Sequence, residues 1–449
     1  MNIAVIVLAA GQGTRMKSDL PKVLHPIAGA PMLLHAIRST AALEPARTIV
    51  VAGHGAEAVE AALKAHDIEA DIALQDVQRG TADAAARARP LLEGFDGDAV
   101  VIFGDTPFIS EDTYARIAEA RATSDVVVLG FEAAEPGGYG RLVTSGEALT
   151  KIVEAKDASP EELAITLCNS GIVAANAQTL FELIDAVEPN NAQAEYYLTD
   201  IIAIAAAKGL TASVVICDES ETLGINSRAN LATAEGIFQA RARAEALENG
   251  VTLTAPETVH FAYDTVIGRD VEIGPYTVFG PGVTVETGAR IVGFSHVEGA
   301  HISGGATVGP YARLRPGAEL GAGSRVGNFV EIKAATLGEG AKVNHLTYVG
   351  DATIGDRANI GAGTITCNYD GVFKHQTVIG ADAFIGSNSA LVAPVSVGDG
   401  ALVGTGTVVT KDVGTGDLAL SRGTQTNKPG MGARLMGRLR SLKAAGKRP

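Results

Sequence analysis

Two folds in series are predicted for this chain of 449 residues: an α/β domain with a mostly parallel sheet, then an all-β domain of short strands stacked as coils. Three observations predict them. Apolar runs of strand length alternate with helical segments as far as residue 226. A stretch rich in Ala, Arg and Glu and free of proline follows over 227–249. From Val251 the pattern changes, and apolar residues recur at every sixth position. A helix repeats at about 3.6 residues and a strand at about 2, so this spacing belongs to neither alone. A chain this long is also too large for a single core.

The first domain is placed at residues 1–226. Its opening run, 3–10, is apolar throughout, as a parallel strand covered on both faces requires. Further strands are expected at 48–52, 99–103, 125–131 and 213–216. The stretch at 227–250, closed by Asn249-Gly250, has helix-stop chemistry at its end. At ~1.5 Å per residue it would run about 35 Å, and it is read as a rigid connector.

The second domain is placed at 251–422. Its hexads run through Ile267, Ile273, Phe279, Val285, Ile291 and Val297, then through Ile302, Val308, Leu314, Leu320, Val326 and Ile332. They return at Ile379, Ile385, Leu391, Val397, Val403 and Val409. Three hexads make one triangular coil, and stacked coils bury a continuous apolar column. The repeat breaks at 365–376, and an insertion in a solenoid must leave the stack as a loop, often on a binding face. In the tail, 423–449, no acidic residue remains while Arg434, Arg438, Arg440, Lys443, Lys447 and Arg448 recur. It is read as solvated or disordered.

Composition narrows the partners. A net charge of −15 argues against nucleic acid, whose binding rests on basic side chains. The low aromatic share (5%, no Trp) and 53 glycines suggest small-residue, repetitive packing. Cys168, Cys217 and Cys367 have neither metal-site spacing nor a disulfide framework. No signal peptide is read before the first strand, and no uncharged run of ~20 apolar residues could enter a bilayer. A reducing cytoplasm is expected.

The chemistry starts where the first strand ends. Gly11-Gln12-Gly13-Thr14-Arg15 lets backbone N–H groups approach an anion, and Arg15 and Lys22 bring positive charge. Met16 stands where a dinucleotide fingerprint needs its third glycine, and Gly-Lys-Ser/Thr of a Walker A loop is missing. Asp105 closes the apolar run AVVIFGD at the carboxyl edge of the sheet, where open α/β sheets bind ligands. With Asn226, it offers the oxygen ligands that Mg²⁺ prefers.

The block L8-A-A-G-Q-G-T-R-M16, followed by P21-K-V-L24, resembles the signature of sugar-nucleotide pyrophosphorylases. In that resemblance Leu8, Ala9, Ala10, Gly11, Lys22, Gly104 and Asp105 hold the nucleotide, and Gln75, Gly80 and Thr81 read the uracil. Gly140, Glu154 and Asn169 hold the amino sugar, Asp105 and Asn226 hold Mg²⁺, and Arg15 and Lys22 act in catalysis. Gln12 departs from the basic residue that many relatives carry there.

The hexads resemble the left-handed parallel β-helix of hexapeptide-repeat acyltransferases. His345 is the candidate general base, since an imidazole titrates near neutrality. Arg315, Lys333, Tyr348, Asn359, Asn368 and Tyr369 match the glucosamine-1-phosphate acetyltransferase pattern, with Ser387 and Arg422 where the coenzyme is contacted. Both halves together resemble the bifunctional bacterial N-acetylglucosamine-1-phosphate uridyltransferase/glucosamine-1-phosphate acetyltransferases. The resemblance implies UTP, glucosamine-1-phosphate, N-acetylglucosamine-1-phosphate and acetyl-CoA as substrates. It further implies Mg²⁺ and a homotrimer with sites between neighbouring β-helices. A monofunctional nucleotidyltransferase whose β-helix only oligomerises is the alternative reading.

Overall fold

A computed structural model of the chain describes residues 2–53, 55–146, 148–421 and 423–446. It has two compact units: residues up to Ala242 with Phe261–Tyr263, and Arg243–His260 with Asp264 onward.

The first unit is built on a sheet ordered Ala212–Cys217, Val126–Glu132, Leu167–Asn176, Asp98–Phe103, Ile3–Ala9, Arg47–Ala52, Asp71–Leu74. All neighbours on this path are parallel except Leu167–Asn176, which runs antiparallel to both strands beside it. A hairpin, Arg141–Ser145 with Ala148–Val153, hangs on that strand. The continuous apolar run of the first strand has its expected cause. Ile3, Val5, Val7 and Ala9 enter one core, and Ala4, Ile6 and Leu8 enter the other. The chain leaves Ile3–Ala9 toward Arg47–Ala52 on one side and returns to Asp98–Phe103 on the other. That reversal is a topological switch point, and it opens a crevice beyond Ala9 and Phe103.

The expected connector forms as one helix, Arg228–Glu248. Much of it packs on the first unit. Glu235 accepts from the Ala28 amide (2.7 Å), Arg228 Nε donates to the Met16 carbonyl (3.2 Å), and Ala234 is fully buried. Its residues as far as Ala242 belong to the first unit. The packing depends on single side chains at wide spacing, which a composition reading does not register.

The second unit is a parallel β-helix with three faces. Val266 pairs with Thr284, eighteen residues on, and Thr284 with His301 one coil later. The hexad residues fill its centre: Ile273, Ile302, Leu314, Ile332, Ile385 and Val403 are all nearly inaccessible. At the insertion Thr353 pairs with Val378, so seven residues beyond an eighteen-residue coil leave the stack. Asp370 ties that loop together, accepting from the amides of Val372 (2.8 Å) and Phe373 (2.7 Å) and facing His375 Nε2 (2.7 Å). These bonds hold its carboxyl down at about 2.

One corner carries an aromatic column that the hexad count did not register. Tyr276, Phe294, Tyr311 and Phe329 stack on successive coils with centroids 5.0, 5.0 and 5.2 Å apart. Each has left-handed backbone (φ 54–61°), and Leu346 takes the same corner on the next coil at φ 50°. In the tail, Met431–Ala444 is a helix with no buried residue, a solvated segment. Its straight-chain Arg, Leu, Met and Lys residues favour helix over coil. No helix among the described residues is long and apolar enough to cross a membrane.

Candidate active sites

The glycine loop and the 22–24 turn fold over one another at the switch point. Gly13 has φ 60°, and a Cβ there would lie 2.6 Å from Lys22 Cβ, so the backbone approach requires glycine. Lys22 Nζ then hydrogen-bonds the Asp105 carboxylate and Asn226 Oδ1 (3.0 Å), while Arg15 Nη2 donates to the same Asn226 oxygen (2.9 Å). Four residues singled out for phosphate and metal chemistry therefore meet, across as many as 211 positions of sequence. Arg228 anchors the ensemble by donating to the Met16 carbonyl and to His25 Nδ1 (3.2 Å each). Burial, and then the guanidinium, keep His25 below its ordinary pKa, which leaves Nδ1 free to accept.

A cavity of about 260 Å³ lies here, lined by Leu8, Ala9, Ala10, Gly11, Lys22, Gln75, Gly80, Thr81 and Asp105. Gly104 lies beneath it, with its amide bonded to the Leu8 carbonyl (3.0 Å). Gly80, at φ 120°, runs against the Tyr196 backbone, where a Cβ would come within 2.7 Å of the amide nitrogen. Gln75 is buried and donates to the Gly80 carbonyl (3.2 Å) and Asp83 (2.8 Å), which fixes its amide plane. Thr81 and Phe103 also line a second cavity of about 210 Å³, walled by Gly140, Glu154 and Asn169. Asn169 Oδ1 accepts from the Gly171 amide (3.0 Å). Glu154 is held by Thr199 Oγ1 (3.2 Å), and burial raises its pKa. The sequence reading missed Gln78, whose side chain donates to the Ala10 carbonyl, and Thr199, which holds Glu154. Gln78 lies between Gln75 and Gly80, both singled out from the sequence, so only its role was hidden.

Asp105 and Asn226 present one carboxylate and one amide oxygen to a single positive centre, Lys22 Nζ. An all-oxygen pair of this kind suits Mg²⁺, which takes its other ligands from phosphate and water. Among the described residues no three His, Cys, Asp or Glu side chains converge as a protein-only metal cage would need.

In the coils, His345 ends the strand Lys342–His345, and Tyr348 begins the next across a two-residue corner. Its Nδ1 lies 2.6 Å from Asn328 Oδ1, one coil below. Arg315 donates to Glu331 (2.9 Å), and Lys333 lies 3.8 Å from Asp351. Asn368 reaches Asp351 and the Tyr348 hydroxyl (3.4 Å). Lys374, which the sequence reading passed over, stands beside Lys333, and that neighbour lowers its pKa. Two ammonium groups side by side favour an anion between them. Tyr369 is exposed, and its hydroxyl donates to the Gly371 carbonyl (2.6 Å).

Ser387 shares a corner column with His345. Gly363 donates to the His345 carbonyl (3.2 Å), Asn388 to Ala362 (2.8 Å) and Gly406 to Ser387 (2.8 Å). Asn359 is not gathered with these residues; it pairs in register with Lys342, three positions back along the strand from His345. Arg422 lies outside the described residues.

Comparison with known proteins agrees with both halves. Residues 5–165 match the MobA-like NTP transferase domain, residues 264–299 the bacterial transferase hexapeptide, and residues 376–411 the hexapeptide repeat of succinyl-transferase. Bifunctional protein GlmU of Ruegeria sp. (strain TM1040) is 63% identical over 445 residues, covering 99% of each chain. The namesake from Dinoroseobacter shibae is 63% identical over 446 residues with the same coverage. That from Roseobacter denitrificans is 61% identical over 444 residues, again 99% of both.

The chain belongs to the GlmU family. The family resemblance drawn from its motifs is borne out, as is the architecture of a nucleotidyltransferase unit followed by a left-handed β-helix of hexapeptide repeats. The chain is accordingly a bifunctional transferase.

Proposed function

We propose that the β-helix acetylates glucosamine-1-phosphate from acetyl-CoA and that the α/β unit then transfers a uridylyl group from UTP to the product. UDP-N-acetylglucosamine and pyrophosphate result. The observation that carries this reading is the meeting of Arg15, Lys22, Asp105 and Asn226 at the switch point above the glycine loop.

In uridylyl transfer, a phosphate oxygen of the sugar-1-phosphate bonds to the α-phosphorus. The bond to the β-phosphate oxygen breaks, and pyrophosphate leaves with the electron pair. The nucleophile is already anionic, so positioning and charge neutralisation suffice. The cavity lined by Gln75, Gly80 and Thr81 suits the uracil, and the adjoining one lined by Gly140, Glu154 and Asn169 suits the acetylated sugar. Arg15 and Lys22 neutralise the triphosphate. Asp105 and Asn226 would hold Mg²⁺, which supplies further neutralisation of phosphate charge.

In acetyl transfer, the 2-amino nitrogen bonds to the thioester carbonyl carbon, the C–S bond breaks, and the thiolate leaves. His345 takes the amine proton and returns it to sulfur. Arg315, Lys333 and Lys374 face the sugar phosphate, and Tyr348 and Asn368 orient the sugar. The column from His345 to Ser387 spans two coils, roughly 10 Å at ~4.8 Å per strand, and gives the coenzyme a track. The scatter of Asn359 away from His345 supports a site completed between copies in a homotrimer. Three free thiols, two of them buried, suit a reducing cytoplasm.

The test follows thiol and pyrophosphate release separately on purified protein with Mg²⁺. His345→Ala should lose thiol release from glucosamine-1-phosphate and acetyl-CoA, and Asp105→Ala pyrophosphate release from N-acetylglucosamine-1-phosphate and UTP. Wild type that never frees thiol would mark the β-helix as a scaffold.

A further inference from the structure

We infer that Asn328 is a positioning residue that fixes the tautomer and ring plane of His345, presenting Nε2 as the proton acceptor. The inference deepens the acetyl-transfer reading and rests on it.

Asn328 and His345 are register partners on adjacent coils, seventeen residues apart. The coil ladder therefore sets their spacing, and the Leu346 amide, bonded to the Asn328 carbonyl at 3.0 Å, locks the register at that point. The side chains meet with Nδ1 and Oδ1 2.6 Å apart. With the Asn328 amide oxygen turned toward the ring, Nδ1 carries the hydrogen. A neutral imidazole has one N–H, and its lone pair is then left on Nε2. Nε2 has no hydrogen-bond partner among the described residues, so it is free for a substrate amine.

The residue type matters as much as the contact. A carboxylate in this place would also fix the tautomer, but its charge would stabilise the imidazolium and make the ring a poorer acceptor at neutral pH. An amide orients the ring without that charge. Asn328 lies five residues before Lys333, yet the hexad pattern does not require an amide there.

The experiment is imidazole ¹⁵N NMR on the full-length chain, with His345→Ala identifying the resonance and pyrophosphate release serving as the control for folding. Wild type should show Nδ1–H and unprotonated Nε2 in the neutral ring. Asn328→Ala should shift the resonance toward the other tautomer and lower kcat of acetyl transfer about ten- to a hundred-fold, with KM for glucosamine-1-phosphate little changed. Asn328→Asp should keep the tautomer but move the acidic limb of the kcat profile to higher pH. An unchanged tautomer in Asn328→Ala, or full kcat with a shifted one, would overturn the inference. Should His345→Ala retain acetyl transfer while Asn328→Ala still shifts the tautomer, the general-base reading fails and the positioning contact stands.

Discussion

The α/β unit encloses its candidate site, whereas the β-helix spreads its own over a surface. At the switch point, Gln75 and Glu154 are fixed by side-chain bonds to other segments and Asn169 by one within its own strand, and all three wall two adjoining cavities. On the coils, a shallow groove of about 420 Å³ takes in Tyr348 but none of Arg315, Lys333 or His345. The difference follows from architecture. A doubly wound sheet makes a crevice wherever its strand order reverses, whereas a stack of near-identical coils makes ridges and corners and needs a second body to close them. Long-range packing in one unit and neighbour-only packing in the other should make the two fail differently.

The strongest way to break this contrast is to hollow each core. Phe131 is fully buried, and Phe131→Ala should cost about 3–5 kcal/mol. Because the sheet unit packs as a whole, pyrophosphate release should collapse with it. Ile332→Ala should cost about 2–5 kcal/mol, but hydrogen exchange should rise chiefly on coils near Ile332. Uniform exchange along the whole β-helix would refute the neighbour-only picture. Dilution sharpens it further. If the acetyl-transfer site is completed between copies, as proposed, serial dilution into low-concentration assays should lower acetyl transfer per chain about ten-fold or more, with uridylyl transfer unchanged. Parallel loss of both activities would mean that both sites depend on assembly.

Lys374→Ala is a smaller probe of the open site. Losing one of two adjacent ammonium groups should raise KM for glucosamine-1-phosphate about ten-fold while leaving kcat nearly constant, the pattern of a lost uniform binding contact. A fall in kcat with constant KM would place Lys374 nearer the reacting atoms.

Legibility in the sequence divided along the same line. The first strand was readable because both of its faces enter cores, so every residue from Ile3 to Ala9 had to be apolar. The hexads were readable because each repeat buries one residue at the same phase. Arg15, Lys22, Asp105 and Asn226 were readable as residue types, but their meeting is a product of strand order that no spacing reveals. Residues acting through others left the least trace. Asn328, Lys374 and Thr199 occupy positions whose repeat or loop pattern tolerates many side chains, and their partners lie across coils or strands. For the connecting helix, composition gave helicity without saying which of its residues would be covered.

The smallest predicted effect tests the enclosed site through its electrostatics. Burial raises the Glu154 pKa above its ordinary value, against a smaller opposing bond from Thr199. A raised carboxyl pKa contributes stability that is complete below the unfolded value and is lost as pH rises through the folded one. The ionised carboxylate therefore costs stability at pH 7–8. Glu154→Gln removes that cost and should raise Tm at pH 8 by no more than about 3 °C, with no gain at pH 4. If Glu154 faces the sugar, as proposed, the substitution should also raise KM for N-acetylglucosamine-1-phosphate, because an amide would replace a charged acceptor. Calorimetry at the two pH values with steady-state kinetics separates the effects. An equal gain in Tm at both would assign it to packing rather than charge, and an unchanged KM would remove Glu154 from the sugar site.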